Sequence, residues 1–303
     1  MKPLLFTLHA ADSLASDMLA GGLFDEGNVE RRRFPDGESY VRLETGVEDR
    51  AVVFLCSLDR PDERVMTLLL AAEAAQAQGA QQVGLIAPYL AYMRQDKAFR
   101  PGEAVSAPVF AEILSRRFDW LVTLEPHLHR ITSLDEIFTI PARAAEATQP
   151  IAEWIAAHVE RPFLVGPDSE SAPWIERIAA RLDAPFAVLE KERLGDHEVR
   201  IGGTLGGLRP GMTPVVVDDI VSSGGTLATI VERIAQEADR AAVCIAVHAL
   251  YGELPAPLAS SASLQALASS DSVPHASNRI GIANPLLAEA EQLITLNLKR
   301  HRL

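Results

Sequence analysis

Val-Val-Val-Asp-Asp-Ile-Val-Ser-Ser-Gly-Gly-Thr-Leu, residues 215–227, decides how this chain folds. Three β-branched residues in a row suit a buried strand of a parallel sheet. Asp218 and Asp219 close that strand, at the edge where open α/β sheets bind ligands. Ser222, Ser223, Gly224, Gly225 and Thr226 follow, and Leu227, Ile230, Val231 and Ile234 keep helical spacing behind them. Small residues at a helix start leave backbone N–H groups uncovered with the positive end of the dipole behind them, which makes a phosphate cradle. The paired carboxylates, which only accept hydrogen bonds, suit the hydroxyls of a sugar. Taken by themselves, these residues describe a phosphosugar site.

Working outward, the same order of elements occurs twice. Val52 to Leu55 read as a strand, Asp59 to Glu63 as a loop, Val65, Leu68, Leu69 and Ala72 as one helix face, and Val83 to Pro88 as a second strand. Val215 to Asp218, the Ser-Ser-Gly-Gly-Thr loop, Leu227 to Ile234 and Val243 to His248 repeat that order. A duplicated βαβ unit with right-handed crossovers makes both sheets mostly parallel and flanked by helices. The first copy lacks the paired aspartates and glycines, so its phosphosugar loop has degenerated. A boundary falls near Ala145–Pro150, giving expected domains at 1–147 and 148–303, with roughly the last 15 residues returning to the first domain. Residues 254–277 are expected to hold loops and one short helix, and Leu293, Ile294, Leu296 and Leu298 a final strand.

Composition limits the partners. The chain has 303 residues, 28 lysines and arginines against 41 acidic residues, and a net charge of −13. With no basic stripe to offset that charge, nucleic acid is excluded as the main partner. An acidic protein that handles polyanions needs a bridging cation, which points to Mg²⁺. Cys56 and Cys244 stand far apart in apolar runs and read as buried reduced thiols, in keeping with a cytoplasmic protein. No apolar run reaches the roughly 20 residues of a membrane helix, and the Met1–Ala10 opening reads as a first strand rather than a leader.

The 215–227 stretch resembles the phosphoribosyl diphosphate (PRPP) signature of the type I phosphoribosyltransferase fold. Four further segments narrow the resemblance. Arg-Arg-Arg-Phe-Pro-Asp-Gly-Glu-Ser-Tyr-Val-Arg-Leu (31–43) makes a tight turn at Asp36-Gly37 and then a strand. In Tyr-Met-Arg-Gln-Asp-Lys-Ala-Phe-Arg-Pro-Gly-Glu (92–103), cations crowd behind a strand beside an amide able to read a base edge. Leu-Val-Gly-Pro-Asp-Ser-Glu-Ser (164–171) and Glu-Lys-Glu-Arg-Leu-Gly-Asp (190–196) complete the set. Together, and in this order over nearly the whole chain, they resemble the ribose-phosphate diphosphokinase (PRPP synthetase) family.

The resemblance implies two tandem phosphoribosyltransferase-like α/β domains and a set of roles. Phe34, Asp36 and Glu38 would reach the ATP of a neighbouring subunit, and Arg94 and Gln95 would hold adenine and phosphates, with Asp96 in support. Asp218 and Asp219 would hold the ribose hydroxyls, and Ser222, Ser223, Gly224, Gly225 and Thr226 the 5-phosphate. His127 and Asp168 would help to hold Mg²⁺, and Lys191 and Arg193 would be the catalytic cations of a mobile loop. Two departures stand out. Glu125-Pro126 replaces an Asp-Leu ahead of the histidine, and Glu170-Ser171 replaces small glycines after Asp168. His129 reads as a surface residue.

The implied reaction is ATP + ribose 5-phosphate → AMP + PRPP, in a dimer-based homo-oligomer of the kind that often builds hexamers. Two other readings are open on the sequence. A PRPP-consuming transferase would give no reason for the 34–38 and 94–100 segments, and a non-catalytic regulatory homologue would have no need of Lys191 and Arg193.

Overall fold

The computed structural model describes residues 1–128, 130–193, 199–254 and 256–300, without the side chains of 191–193, 199–201, 256–257 and 298–300. The chain divides into two compact units. Unit 1 is Met1–Glu146, Ser272–Pro274 and the chain from Ile282; unit 2 is Ala147–Asp271 and His275–Gly281.

Unit 1 runs β1 (Leu4–His9), α1 (Asp12–Ala20), β2 (Asp25–Gly27), β3 (Val29–Arg33), β4 (Ser39–Leu43), β5 (Ala51–Cys56), α2 (Pro61–Ala77), β6 (Gln82–Ala87), α3 (Ser106–Ser115), β7 (Trp120–Leu124) and β8 (Ala142–Ala145). Its sheet has the order β2-β1-β5-β6-β7-β8, with every pairing parallel. β5 and β6 are buried at every position, as expected of strands covered on both faces. Trp120 fills the space over Gly84, where an added Cβ would lie 2.1 Å from the indole ring. Its Nε1 donates to Gln82 Oε1 at 3.0 Å, satisfying a fully buried polar group. β3 and β4 form an antiparallel hairpin outside the sheet.

Unit 2 continues with α4 (Thr148–His158), β9 (Pro162–Gly166), α5 (Ala172–Leu182), β10 (Phe186–Val188), β11 (Glu190–Arg193), β12 (Val199–Gly202), β13 (Thr213–Val221), α6 (Gly225–Ile234), β14 (Ala242–Ala249), α7 (Ala256–Ala259), β15 (Leu264–Ser270) and β16 (Asn278–Ile280). The order β10-β9-β13-β14-β15-β16 is again wholly parallel, so β13 sits centrally as β5 does in unit 1. Phe163, Val216, Leu227, Ile230, Val231, Ile234 and Cys244 pack the core between β13 and α6.

Two expectations need correction. The final strand is instead a helix, α8 (Ala283–Arg300), which packs on β6, β7, β8 and α1 within unit 1. Among its described side chains Ala283, Leu286, Ala290, Leu293, Ile294 and Asn297 are buried, a helical spacing, while Leu296 is exposed. The short alternation at 293–298 is only the tail of that helical stripe. In 254–277, β15 appears where loops and one short helix were expected. Its Ala and Ser residues carry no β-branched signal, and the strand forms because Ala268, Ser269 and Ser270 are buried beside β14.

Candidate active site

β13 delivers the two aspartates, and its ladder with β14 continues past them to Val221↔Ala249. Asp218 and Asp219 therefore lie inside the strand, two residues short of its end, because β14 is long enough to keep pairing. Both are half-buried, and the Ile220 N–H donates to Asp219 Oδ1 at 2.7 Å, which fixes that carboxylate. Burial, then the Asp218 charge, push the Cys244 thiol well above its ordinary range, so Cys244 stays a neutral packing residue.

The chain leaves β13 through exposed Ser222 and Ser223 and turns at Gly224, whose φ of 73° is left-handed and so favours glycine. Gly224 caps α6 with no side chain in the way. Ala228 N–H is bonded to Gly224 O at 2.9 Å, and the N–H groups before it belong to the helix's open first turn. The Ser223 hydroxyl accepts from Gly225 N–H at 3.5 Å. Backbone donors, the three hydroxyls of Ser222, Ser223 and Thr226, and the helix dipole are thus gathered within five residues, at the carboxyl edge of the sheet.

The neighbouring strand supplies the next candidate. β9 pairs with β13, and Asp168 lies in the loop after it. Asp168 Oδ1 accepts from the N–H groups of Glu170 (3.1 Å) and Ser171 (3.3 Å), and the Ser171 hydroxyl donates to Asp168 O at 2.6 Å. The loop absorbs its bulkier residues by burying Ser171 and pointing Glu170 to solvent. Beyond β10, the Leu189 N–H is held by Gly166 O at 2.9 Å, and β11 begins there. The backbones of Lys191 and Arg193 pair with Ile201 and Val199 in an antiparallel ribbon; their side chains and the Gly195–Asp196 turn lie outside the described residues. Asp168, the 218–226 segment and the start of β11 thus all issue from one edge of unit 2's sheet.

Unit 1 holds the other candidates. Phe34, Asp36 and Glu38 occupy the tip of the β3–β4 hairpin, all exposed. Asp36 Oδ1 accepts from Glu38 N–H at 3.1 Å, and Gly37 has a φ of 92°. The Arg32 guanidinium lies over the rings of Phe34 and Tyr40, at 4.6 and 4.1 Å from their centroids. Arg94 is exposed and Gln95 half-buried in the loop after β6, where the Gln95 carbonyl accepts from Ala107 N–H at 3.2 Å. Asp96 is tied by both carboxylate oxygens to Arg130, a partner that no spacing in the sequence signals. His127 is half-buried in the loop after β7, following Glu125 at a φ of 35°. His129 lies outside the described residues.

Among the described residues no three His, Cys, Asp or Glu side chains converge as a metal site. A single carboxylate donor such as Asp168 still fits Mg²⁺, which keeps waters and takes most of its ligands from phosphates. No helix among the described residues is long and apolar enough to cross a membrane.

A parallel sheet whose central strand carries paired aspartates near its carboxyl end and turns through Gly224 into an open helix start defines unit 2 as a phosphoribosyltransferase-type domain. Residues 133–259 match the phosphoribosyl transferase domain, and residues 3–117 match the N-terminal domain of ribose phosphate pyrophosphokinase. The chain is 33% identical to the ribose-phosphate pyrophosphokinase of Sulfurisphaera tokodaii, over 74% of this chain and 77% of that protein. It is 31% identical to that of Methanobrevibacter smithii, over 92% of this chain and 94% of the relative. The crystal structure of phosphoribosylpyrophosphate synthetase from Mycobacterium smegmatis superposes with a TM-score of 0.82 at 25% identity, covering 98% of this chain and all of that one. The chain belongs to the ribose-phosphate pyrophosphokinase family.

Proposed function

We propose that this protein transfers the diphosphoryl group of ATP to the 1-hydroxyl of ribose 5-phosphate, giving PRPP and AMP for nucleotide biosynthesis. The observation that carries this reading is the β13–α6 junction, where carboxylates for sugar hydroxyls stand directly ahead of a helix start open to phosphate. Ser222 to Thr226 hold the 5-phosphate, and Asp218 and Asp219 accept from the ribose hydroxyls. This fixes the anomeric oxygen for in-line attack on the β-phosphorus. The bond from the β-phosphorus to the α,β-bridging oxygen breaks as the new one forms, AMP leaves with that oxygen, and the hydroxyl proton is released.

Phosphoryl-type transfer asks a protein mainly for positioning and charge neutralisation. Lys191 and Arg193 meet the negative charge that grows on the bridging and equatorial oxygens. Phe34, Asp36 and Glu38 bind the nucleotide of a neighbouring subunit in a homo-oligomer, with Arg94 and Gln95 on adenine and phosphates and Asp96 steadying them. His127 and Asp168 would be the residues to hold Mg²⁺, which when bound would supply electrophilic neutralisation of the diphosphate. Residues 1–147 and 148–303 act as the nucleotide and sugar domains of a cytoplasmic enzyme.

The test is formation of AMP from Mg²⁺-ATP by the purified chain. AMP appearing only when ribose 5-phosphate is present supports the reading, and its absence under those conditions refutes it.

A further inference from the structure

β14 ends at Ala249, level with Val221 at the end of β13, and the Leu250 N–H continues the pairing by donating to Val221 O at 2.8 Å. Tyr251 follows at once, so the sheet delivers it beside the turn that residues 222–226 make into α6. Its ring is buried in the same apolar cluster as Val221 and Leu227, the two residues that flank that turn. Phenylalanine would fill this cluster equally well. The hydroxyl therefore answers to something other than core packing, and a buried hydroxyl needs a partner.

That partner is Ser277, whose Oγ accepts from the Tyr251 hydroxyl at 3.0 Å. Burial pushes the Tyr251 hydroxyl above its ordinary range, against the pull of the Ser277 bond, so it stays protonated and able to donate. Ser277 is held in its turn. Its N–H donates to His275 Nδ1 at 3.1 Å, which leaves the ring proton on Nε2, and its Oγ lies 2.7 Å from the same nitrogen. The hydroxyl proton of Ser277 thus goes to His275, and its lone pairs accept from Tyr251 and from the Ser269 hydroxyl, 2.7 Å away. Asn278 Nδ2 donates to Ser269 Oγ at 3.0 Å and to Ser270 O at 2.6 Å, which ties the network to the buried end of β15. The His275 ring packs edge-on to Tyr251, with centroids 4.3 Å apart. A polar network satisfied in this way is rigid.

We propose that Tyr251 is a positioning residue for the sugar-phosphate turn, its ring bracing the two ends of 222–226 while the Ser277 network fixes the ring from the other side. The proposal rests on the reading of that turn as the holder of the 5-phosphate. The action of Tyr251 is indirect. It sets the spacing of Val221 and Leu227, and with it the convergence of the backbone N–H groups between them.

The test is calorimetric titration of the full chain with ribose 5-phosphate, with steady-state kinetics beside it. Tyr251→Phe keeps the ring and removes the tether. It is expected to weaken ribose 5-phosphate binding about three- to tenfold, the loss of one neutral hydrogen bond. KM for ribose 5-phosphate should rise by the same factor, while KM for ATP changes by less than about twofold. Ser277→Ala removes the acceptor and is expected to do the same. The double variant should be no worse than either single one, since both cut one tether. Ribose 5-phosphate affinity that stays at the wild-type value in both variants, whether or not the urea midpoint falls, would overturn the proposal alone, as would equal rises in KM for the two substrates. Wild-type chain that fails to bind ribose 5-phosphate would overturn the reading of the turn itself, and the proposal with it.

Discussion

Arg130 grips Asp96 at both carboxylate oxygens, its backbone N–H reaching Oδ2 at 3.1 Å and its guanidinium reaching Oδ1 at 2.9 Å. This bridge ties the loop after β6, which carries Arg94 and Gln95, to the loop after β7, which carries His127. Burial alone would raise the Asp96 carboxyl, but the backbone and side-chain hydrogen bonds from Arg130 outweigh it and hold the carboxyl below the usual carboxylate range. A depressed carboxyl contributes stability that is present above its unfolded pKa and lost as pH falls through the folded one. The bridge therefore holds at neutral pH and opens only in acid, below the ordinary carboxylate range. Arg130 is half exposed, so solvent screens the pair and the effect of breaking it is modest. Arg130→Ala is expected to raise KM for ATP about three- to tenfold with a smaller change in kcat, and Arg130→Lys to restore part of it. An unchanged KM for ATP in Arg130→Ala would mean that this bridge does not position the nucleotide loop.

Asp218→Asn/Asp219→Asn is expected to strike sugar binding first. Each change removes a charged acceptor worth roughly 1.5–3 kcal/mol to a ribose hydroxyl. Steady-state kinetics should show KM for ribose 5-phosphate rising far more than KM for ATP. Equal losses in both would count against the sugar assignment.

Gly84→Ala tests the packing of unit 1. The new Cβ would lie 2.1 Å from Trp120, whose ring is held by its bond to Gln82 and cannot swing clear. Overpacking of this kind costs about 1–3 kcal/mol. A lower urea midpoint with an unchanged slope is the expected result; a wild-type midpoint would mean that the β6–β7 layer has slack.

The β13–α6 junction is legible in the sequence because each residue type there has a narrow physical use: β-branched residues for a strand covered on both faces, and glycine for the left-handed turn that Gly224 makes. What escapes is set by distant partners. Nothing in residues 94–96 announces Arg130, because the pairing depends on β6 and β7 being neighbours in the sheet. β15 is hidden by its Ala and Ser composition and α8 by a segment too short to reveal its period, and both are fixed by what they pack against. The degenerate loop after β5 is legible as a loss of glycines. Its neighbouring arginines are not, because β3 and α2 bring them together from separate stretches of sequence.

Phe34, Asp36 and Glu38 lie exposed at a hairpin tip, available to a second subunit. If the active site is shared between chains, Glu38→Ala and Lys191→Ala protomers, each nearly inactive alone, should regain activity when mixed. A verified mixed oligomer with no regained activity would mean that each site is built from one chain.

Lys191 and Arg193 separate a working synthetase from a silent relative. Their strand leaves the sheet edge at Leu189 and, among the described residues, pairs only with β12, so the ribbon starts beside the loops that follow β9 and β13. A ribbon of this kind can close over bound substrates, and contacts made on closure favour the transition state over the ground state. Loss of an arginine from phosphoryl-transfer chemistry costs on the order of 10³–10⁵ in rate. Lys191→Ala and Arg193→Ala are each expected to lower kcat by at least about 10²-fold while ATP affinity changes by less than about tenfold. The double variant should fall short of the product of the two, since one ribbon delivers both charges. Rapid-quench measurement of AMP formation reads the chemical step directly. Wild-type activity with near-normal kcat in both variants would leave the family intact and move the catalytic cations elsewhere.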